Sequence, residues 1–470
     1  MTHTRRTVLR SIGSAGLIAS AVGAASATGE GDARYVVTAG GGDAGGRVER
    51  AGFDVRHELA GGSVLIVEGP SGDRDALASV NGVRNAARDL RIAFDGPALE
   101  DADETRDEPL YDLQWDKQRT SAAPAHDVAT GEGATLAILD TGVDHDHPDL
   151  TPNLDADRSR LFRAGEIREG TGAVEVPVDR DDPTKGTMTD SRNVADDVDG
   201  HGSHVGGIAA APRNGAGIVG TAPDASLVAL RVFYYDEIEN EDGETVSALT
   251  TTTADILLAI DYAARIGADA ANMSLGTETL PPKSRSEGMH VAYDRVIKSA
   301  TRRGTLVVAS AGNAESDLQR GGQYSLPNST PGALSVSATG PNDELSFYSN
   351  YGTNEIDVGA PGGGYETLEK SLSMDTEWPY PTNLVLSTVP PELYDGATHS
   401  YFAGTSMAAP QVTGLAGLVR ELDPSITAKR VEQAIKHGAD GANGRSSPEL
   451  GAGLIDVANT VERVSGGNDG

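Results

Sequence analysis

Thr135-Leu136-Ala137-Ile138-Leu139-Asp140-Thr141-Gly142-Val143-Asp144 sets an apolar run of strand length directly against a carboxylate and a glycine turn. The run is apolar at consecutive rather than alternate positions, which suits a strand covered on both faces. Ser226–Val232, Ala270–Leu275 and Thr305–Ala309 read the same way. Helical patterning predicts helices at His204–Ala211, Ala254–Ile266, Met289–Arg303, Met407–Leu422 and Ala428–Lys436. Apolar strands alternating with helices imply an α/β fold, with a mostly parallel central sheet and helices on both faces. No internal repeat is visible.

Upstream lies a smaller unit, about Ala33 to Phe94. Strand-like runs at Arg34–Val37, Ser63–Val67 and Leu90–Phe94 enclose helical patterns at Gly45–Ala51 and Arg74–Val80. The order β-α-β-α-β fits a compact two-layer α+β unit. The acidic, proline-containing stretch Asp95–Glu108 reads as a linker. At the N-terminus, Thr4-Arg5-Arg6-Thr7-Val8-Leu9 precedes an apolar run, Ile12–Ala25, and the small residues Ala25-Ser26-Ala27. That is the pattern of a twin-arginine export signal with its cleavage site. Gly13, Gly16 and Gly23 interrupt the run, and it is shorter than the roughly 18–20 apolar residues a membrane span needs. The expectation is a secreted, extracellular protein without a membrane anchor. The chain divides into a signal (1–27), a small unit with its linker (28–105) and a main domain (106–470).

A net charge of −32 excludes binding to nucleic acid or an anionic membrane by electrostatic attraction. Only seven of the 38 basic residues are lysines. The acids are spread between apolar segments instead of forming one tail. An acid-rich, lysine-poor surface of this kind matches proteins kept soluble in concentrated salt. With no cysteine, disulfides, thiolate metal sites and a cysteine nucleophile are excluded.

Four motifs fall at strand ends or helix starts, where open α/β sheets build their sites. Asp140 ends an apolar strand and needs a partner, since a carboxylate buried alone is costly; the plainer alternative is a turn-closing aspartate. Asp199-Gly200-His201-Gly202-Ser203-His204-Val205 carries a histidine into a helix, or else, with His145 and His147, a histidine metal site. Ala309-Ser310-Ala311-Gly312-Asn313 is the third, with an ordinary Gly-Asn turn as its alternative. In Phe402-Ala403-Gly404-Thr405-Ser406-Met407-Ala408-Ala409-Pro410, Ser406 is either a nucleophile or a helix cap.

Together the motifs give the chain order Asp140…His201…Ser406, which differs from that of chymotrypsin-like enzymes and of α/β-hydrolases. Here the sequence resembles the subtilisin-like serine proteases (subtilases). The resemblance runs from Leu110 to the C-terminus and includes DTGVD, DGHGSHV, NMSLG, SAGN, YSNYG and GTSMAAP. The acidic, twin-arginine form is most like the secreted haloarchaeal enzymes of the halolysin kind. Ser203 and Gln411 depart from the commoner threonine and histidine. Arg158–Ser191 and Gly362–Asn383 are longer than in simple relatives, and the reading favoured for both is solvated surface loops.

The resemblance implies an endopeptidase acting on polypeptides through an acyl-enzyme, with no catalytic cofactor. Ser406 would be the nucleophile, His201 the general base and Asp140 the residue that orients it. Asn313 and the Ser406 N–H would receive the developing oxyanion. Ser274, Leu275, Gly276, Ala311 and Gly312 would line the pocket for the residue before the cut bond, with the substrate added as a strand. The small upstream unit would be a propeptide, an intramolecular inhibitor whose tail fills the cleft. A structural calcium ion would be held by Asp149 and Asn214 with the carbonyls of Pro212, Ala216 and Ile218, joined by Asp112.

Overall fold

The computed structural model describes residues 31–466 except 41, 102–109, 181, 240–244, 278–287, 320–323 and 442–443. The expected export signal, half of the acidic linker and part of each of several loops lie outside the described residues.

The strand quoted first is β7 (Thr135–Asp140), and it lies inside an eight-stranded sheet. Side chains alternate across a strand. Leu136 and Ile138 therefore enter one core, and Ala137 and Leu139 the other. Burial on both faces is why the sequence reads as continuously apolar. Each fully buried Leu or Ile contributes about 1.5–3 kcal/mol. The sheet order is β18 (Val358–Pro361), β17 (Ala333–Thr339), β16 (Leu306–Ser310), β15 (Ala270–Met273), β7, β12 (Ser226–Arg231), β8 (Arg160–Arg163), β9 (Glu166–Arg168). All pairs are parallel except β8–β9.

Two helices, α5 (His201–Ala210) and α9 (Thr405–Leu422), fill one core; α6 (Thr253–Arg265) and α7 (Met289–Arg303) fill the other. The earlier helices are α1 (Ala44–Arg50), α2 (Arg74–Ala78), α3 (Trp115–Arg119) and α4 (Ala122–Ala125). The later ones are α8 (Leu368–Ser371), α10 (Ala428–Gly438) and α11 (Val457–Gly466). The α/β expectation holds, and the predicted strands and helices fall within a few residues of their observed bounds. Strands β17 and β18 were not predicted.

The N-terminal unit is α+β as expected, but its order is β-α-β-β-α-β. Its sheet runs β2 (Asp54–Leu59), β3 (Val64–Pro70), β1 (Asp32–Ala39), β4 (Val83–Arg88), antiparallel throughout. Its core is Val37, Val48, Leu65, Val67 and Leu77. Strand β2, with polar residues on its exposed face, was missed. The run Leu90–Phe94 leaves the unit: Arg91–Ala93 (β5) instead pairs antiparallel with Thr250–Thr252 of β14 (Thr245–Thr252) in the main domain.

A buried charge cluster seats the unit on that domain. Arg34, 1% exposed, reaches Asp89 (3.3 Å) and Glu68 (3.6 Å). Asp89 also accepts the N–H of Ala254 in the first turn of α6 (2.9 Å), where an anion meets the helix dipole. Burial pushes the Asp89 carboxyl up to about 7, against the pull of Arg34. Arg295 adds bonds to the carbonyls of Ala39 (2.7 Å) and Ser63 (2.6 Å).

Candidate active site

Asp140 ends β7 and His201 opens α5, so a strand of the sheet and a helix packed on it bring the two side chains together at the sheet's C-terminal edge. His201 Nδ1 lies 2.7 Å from Asp140 Oδ1, with both side chains fully buried. Burial opposes a charged imidazole here, but Asp140, with Asp199 and Asp197 behind it, outweighs that and raises the His201 pKa. A base held this way takes up a proton more readily than free histidine.

Ser406 starts α9, 4% exposed. Its Oγ donates to the Ser274 carbonyl at 3.4 Å. His201 Nε2, also buried, has no hydrogen-bond partner among the described residues. Beside it stands Phe94, edge-on to the imidazole with ring centroids 5.1 Å apart, and itself packed on Phe233.

Asn313 meets the start of α9. Its Oδ1 accepts both the N–H and the hydroxyl of Thr405, each at 2.9 Å. That fixes the amide so that its NH2 turns toward Gly404, where an added Cβ would sit 3.5 Å from Nδ2 and 3.7 Å from the Ala98 nitrogen. Gly404 thus has the Asn313 amide and the backbone at Ala98 as neighbours. Gly312, at φ +99°, gives its N–H to Thr405 Oγ1 (3.0 Å), and Ala311 accepts Asn350 Nδ2 (2.8 Å).

Ser274 is 1% exposed; its hydroxyl accepts Asn272 Nδ2 (2.9 Å) and donates to the Ser406 carbonyl (2.7 Å). It thus braces the start of α9. Leu275 is buried in the α6–α7 core, and an added Cβ on Gly276 would meet the Leu326 carbonyl at 3.2 Å.

The four histidines do not converge. His145 faces the Val143 carbonyl, His147 that of Thr398, and His204 those of Val385 and Ser400, while His201 turns to Asp140. Both noted departures have partners. Ser203 donates to Asp197 (2.6 Å) and accepts the Asp144 N–H (2.9 Å). Gln411 bridges Asp116 (2.7 Å) and the buried Lys117 (2.5 Å).

The residues suggested for calcium come together but do not fit a cation. Asp149 accepts Asn214 Nδ2 (2.9 Å), the Ile218 N–H (3.0 Å) and His399 Nε2 (3.1 Å). Asn214 turns its carbonyl to the Ala216 N–H, and the Pro212 carbonyl takes the Asn214 N–H. A calcium shell needs oxygens pointing inward, whereas N–H donors surround this carboxylate. Burial alone would raise the Asp149 pKa; the bonds from His399, Asn214 and Ile218 bring it below the usual carboxylate value. Gly217 allows the loop to approach, since a Cβ there would lie 1.6 Å from Asp149 Oδ2. Gln114, two residues past Asp112, reaches this loop, pairing with Val219 N (2.9 Å) and O (3.0 Å). Chelation at fixed high salt is therefore expected to leave the thermal inactivation rate unchanged. Asp149→Ala should speed it, because buried donors left without an acceptor cost about 1–3 kcal/mol each. A wild-type half-life shortened by chelator would show that a cation displaces this network.

Neither long insertion is a plain surface loop. Arg158–Ser191 supplies β8, which extends the central sheet, then β9 and most of a hairpin, β10 (Thr171–Pro177) and β11 (Thr187–Asn193). Gly362–Asn383 contains α8 and places Tyr380 against the tail residue Asp101.

The segment that joins the N-terminal unit to the main domain passes His201 and the strand leading into Ser406. Beyond β5, the Phe94 N–H bonds the Leu249 carbonyl (3.0 Å). The chain then crosses Gly404, and β6 (Leu99–Asp101) pairs antiparallel with Tyr401–Ala403 of β20 (His399–Ala403), the strand leading into Ser406.

The family model described as "Peptidase_S8: Subtilase family" matches residues 131–453, so the chain belongs to the subtilases. It is 32% identical to thermitase of Thermoactinomyces vulgaris over 72% of this chain and 93% of that one. To M-protease of Shouchella clausii it is 28% identical, over 87% and 82%. A solved epidermin leader peptide processing serine protease from Staphylococcus aureus shares the fold (TM-score 0.67, 23% identity, 92% and 98% covered). The protein is a subtilisin-like serine protease.

Proposed function

We propose that Ser406, His201 and Asp140 form the catalytic triad, and that the protein is exported as a precursor and matures by cutting its own tail. The observation that carries this reading is the 2.7 Å Asp140–His201 pair, together with Ser406 at the start of α9 and a strand of the same chain paired to β20, which leads into Ser406. His201 would take the Ser406 proton during attack on a peptide carbonyl, and later return it to the leaving amine. Asp140 would hold the tautomer and stabilise the imidazolium. Asn313 Nδ2 and the Ser406 N–H would receive the oxyanion, and water would then release the acyl group. A fluorophosphonate tests the assignment: the active enzyme should be labelled at Ser406 and lose activity in proportion.

In this reading residues 28–105 are a propeptide and linker, and 106–470 the peptidase domain. The main support is that β5, Phe94 and β6 lie along the track an extended substrate would use. The active form should begin between Asp95 and Leu110, and the separated Ala33–Phe94 fragment should inhibit it. Phe94→Ala should weaken that inhibition about 10-fold, the scale of losing a partly buried aromatic. N-terminal sequencing that finds Thr28 on the active form would refute the division.

Export rests on the Arg5-Arg6 leader pattern; among the described residues no helix is long and apolar enough to cross a membrane. A halophilic, halolysin-like character rests on composition alone. At −32 the folded surface repels itself until salt shortens the Debye length to about 3 Å at 1 M. Activity and stability should therefore rise steeply toward molar sodium chloride. Full stability in dilute buffer would count against it.

A further inference from the structure

The hairpin β10–β11 carries a residue that sequence reading passed over. Arg180 lies three residues beyond β10, at the rim of the cleft. Its Nε donates to the Asp199 carbonyl (2.9 Å), with the Asp199 carboxylate 3.7 Å away. Its guanidinium lies over the Tyr394 ring, 4.4 Å from the centroid. All these contacts belong to the main domain, and they set the plane and direction of the fork. Asp199 in turn accepts the His201 N–H (3.3 Å), so the fork is anchored to the loop that carries the base.

Both terminal nitrogens point away from that anchor and grip Glu100 of the tail. Nη1 bonds Oε1 at 2.7 Å and Nη2 bonds Oε2 at 2.9 Å. Glu100 faces Phe402 in the β6–β20 pairing, after the chain has passed Gly404. It therefore occupies the side of the cleft that receives residues C-terminal to a cut bond.

We propose that Arg180 is a specificity-determining residue, forming a subsite for an acidic substrate side chain at the position facing Phe402. The proposal rests on the peptidase reading above and adds a substrate class to it: polypeptides with Glu or Asp a few residues beyond the cut. Two parallel N–H···O bonds to a carboxylate are both strong and geometrically selective. A glutamine there offers one acceptor to two charged donors, and a lysine is repelled. Once the tail leaves, the main-domain contacts still hold the fork in place, so the subsite is pre-built.

The test uses the purified active enzyme and internally quenched peptides that share one cleavable core. Each of the first five positions after the cut carries Glu or Gln in turn. Wild type should favour Glu about 10–100-fold in kcat/KM at a single position, the scale of a charge-assisted pair. The ratio should fall to near one in Arg180→Gln and to an intermediate value in Arg180→Lys, which keeps the charge without the fork. A wild-type ratio near one at every position overturns the subsite and leaves the peptidase reading standing, so the proposal is decided without relying on the variants. A preference that survives Arg180→Gln also overturns it. A flat peptide series with Glu100→Gln altering only the rate at which the precursor is processed overturns it too, assigning Arg180 to tail anchoring alone. Wild type that cleaves no peptide and takes no fluorophosphonate overturns both readings.

Discussion

Ser406→Ala is expected to abolish peptide hydrolysis and to leave the chain at precursor length. The hydroxyl is the only atom removed, and nothing nearby replaces it as nucleophile. Ser406 is 4% exposed at the start of a buried helix, so alanine fits without disturbing the packing. The same group would attack both substrate and tail, so activity and processing should vanish together. In subtilisin itself the corresponding loss is about 10⁶-fold in kcat, which sets the scale. The measurement pairs active-site titration with N-terminal sequencing of the expressed protein. A mature-length product with near-normal turnover would reject Ser406 as nucleophile.

Asn313→Leu should lower kcat about 10²–10³-fold with little change in KM, a magnitude also taken from a subtilisin asparagine. As an oxyanion donor it would act on charge that exists only in the transition state, so substrate affinity would hardly change. Asn313 has a second role, however, because its Oδ1 holds the N–H and hydroxyl of Thr405. Leucine removes both functions. Asn313→Asp keeps the acceptor and loses the donor, so the two variants separate catalysis from support. If Asn313→Asp restores kcat, the residue works by positioning Thr405. If KM rises while kcat holds, it binds substrate.

Sequence legibility followed burial. Strand β7 read correctly because both its faces are covered, leaving no polar positions to blur the pattern. Strand β17 was overlooked although it is almost fully buried, because Ser335, Ser337 and Thr339 break its apolar pattern. The triad candidates lie within short glycine-rich motifs that local reading can find. Arg180, Glu100 and Phe94 do not: they meet only through long-range pairing, 80 residues apart in the case of Arg180 and Glu100. His399 was missed for the same reason, and the atoms around Asp149 proved to be donors where side-chain identity alone suggested oxygens.

The tail holds the cleft at two places, through β5 on β14 and β6 on β20, joined by one short uninterrupted crossing. While that crossing is intact, each attachment keeps the other at a high effective concentration, on the order of millimolar for a short tether. Cutting between them breaks no strand pair, but the upstream piece then becomes a separate molecule, whereas β6 stays joined to the main domain through the linker. The upstream piece keeps the Asp89–Ala254 seat and so leaves slowly; the downstream piece keeps its three-residue strand, its Arg180 grip and its covalent tether. Loss of the tether, not a change of shape, would therefore let the upstream piece go, and the C-terminal side of the cleft would clear only after a second cut beyond Asp101.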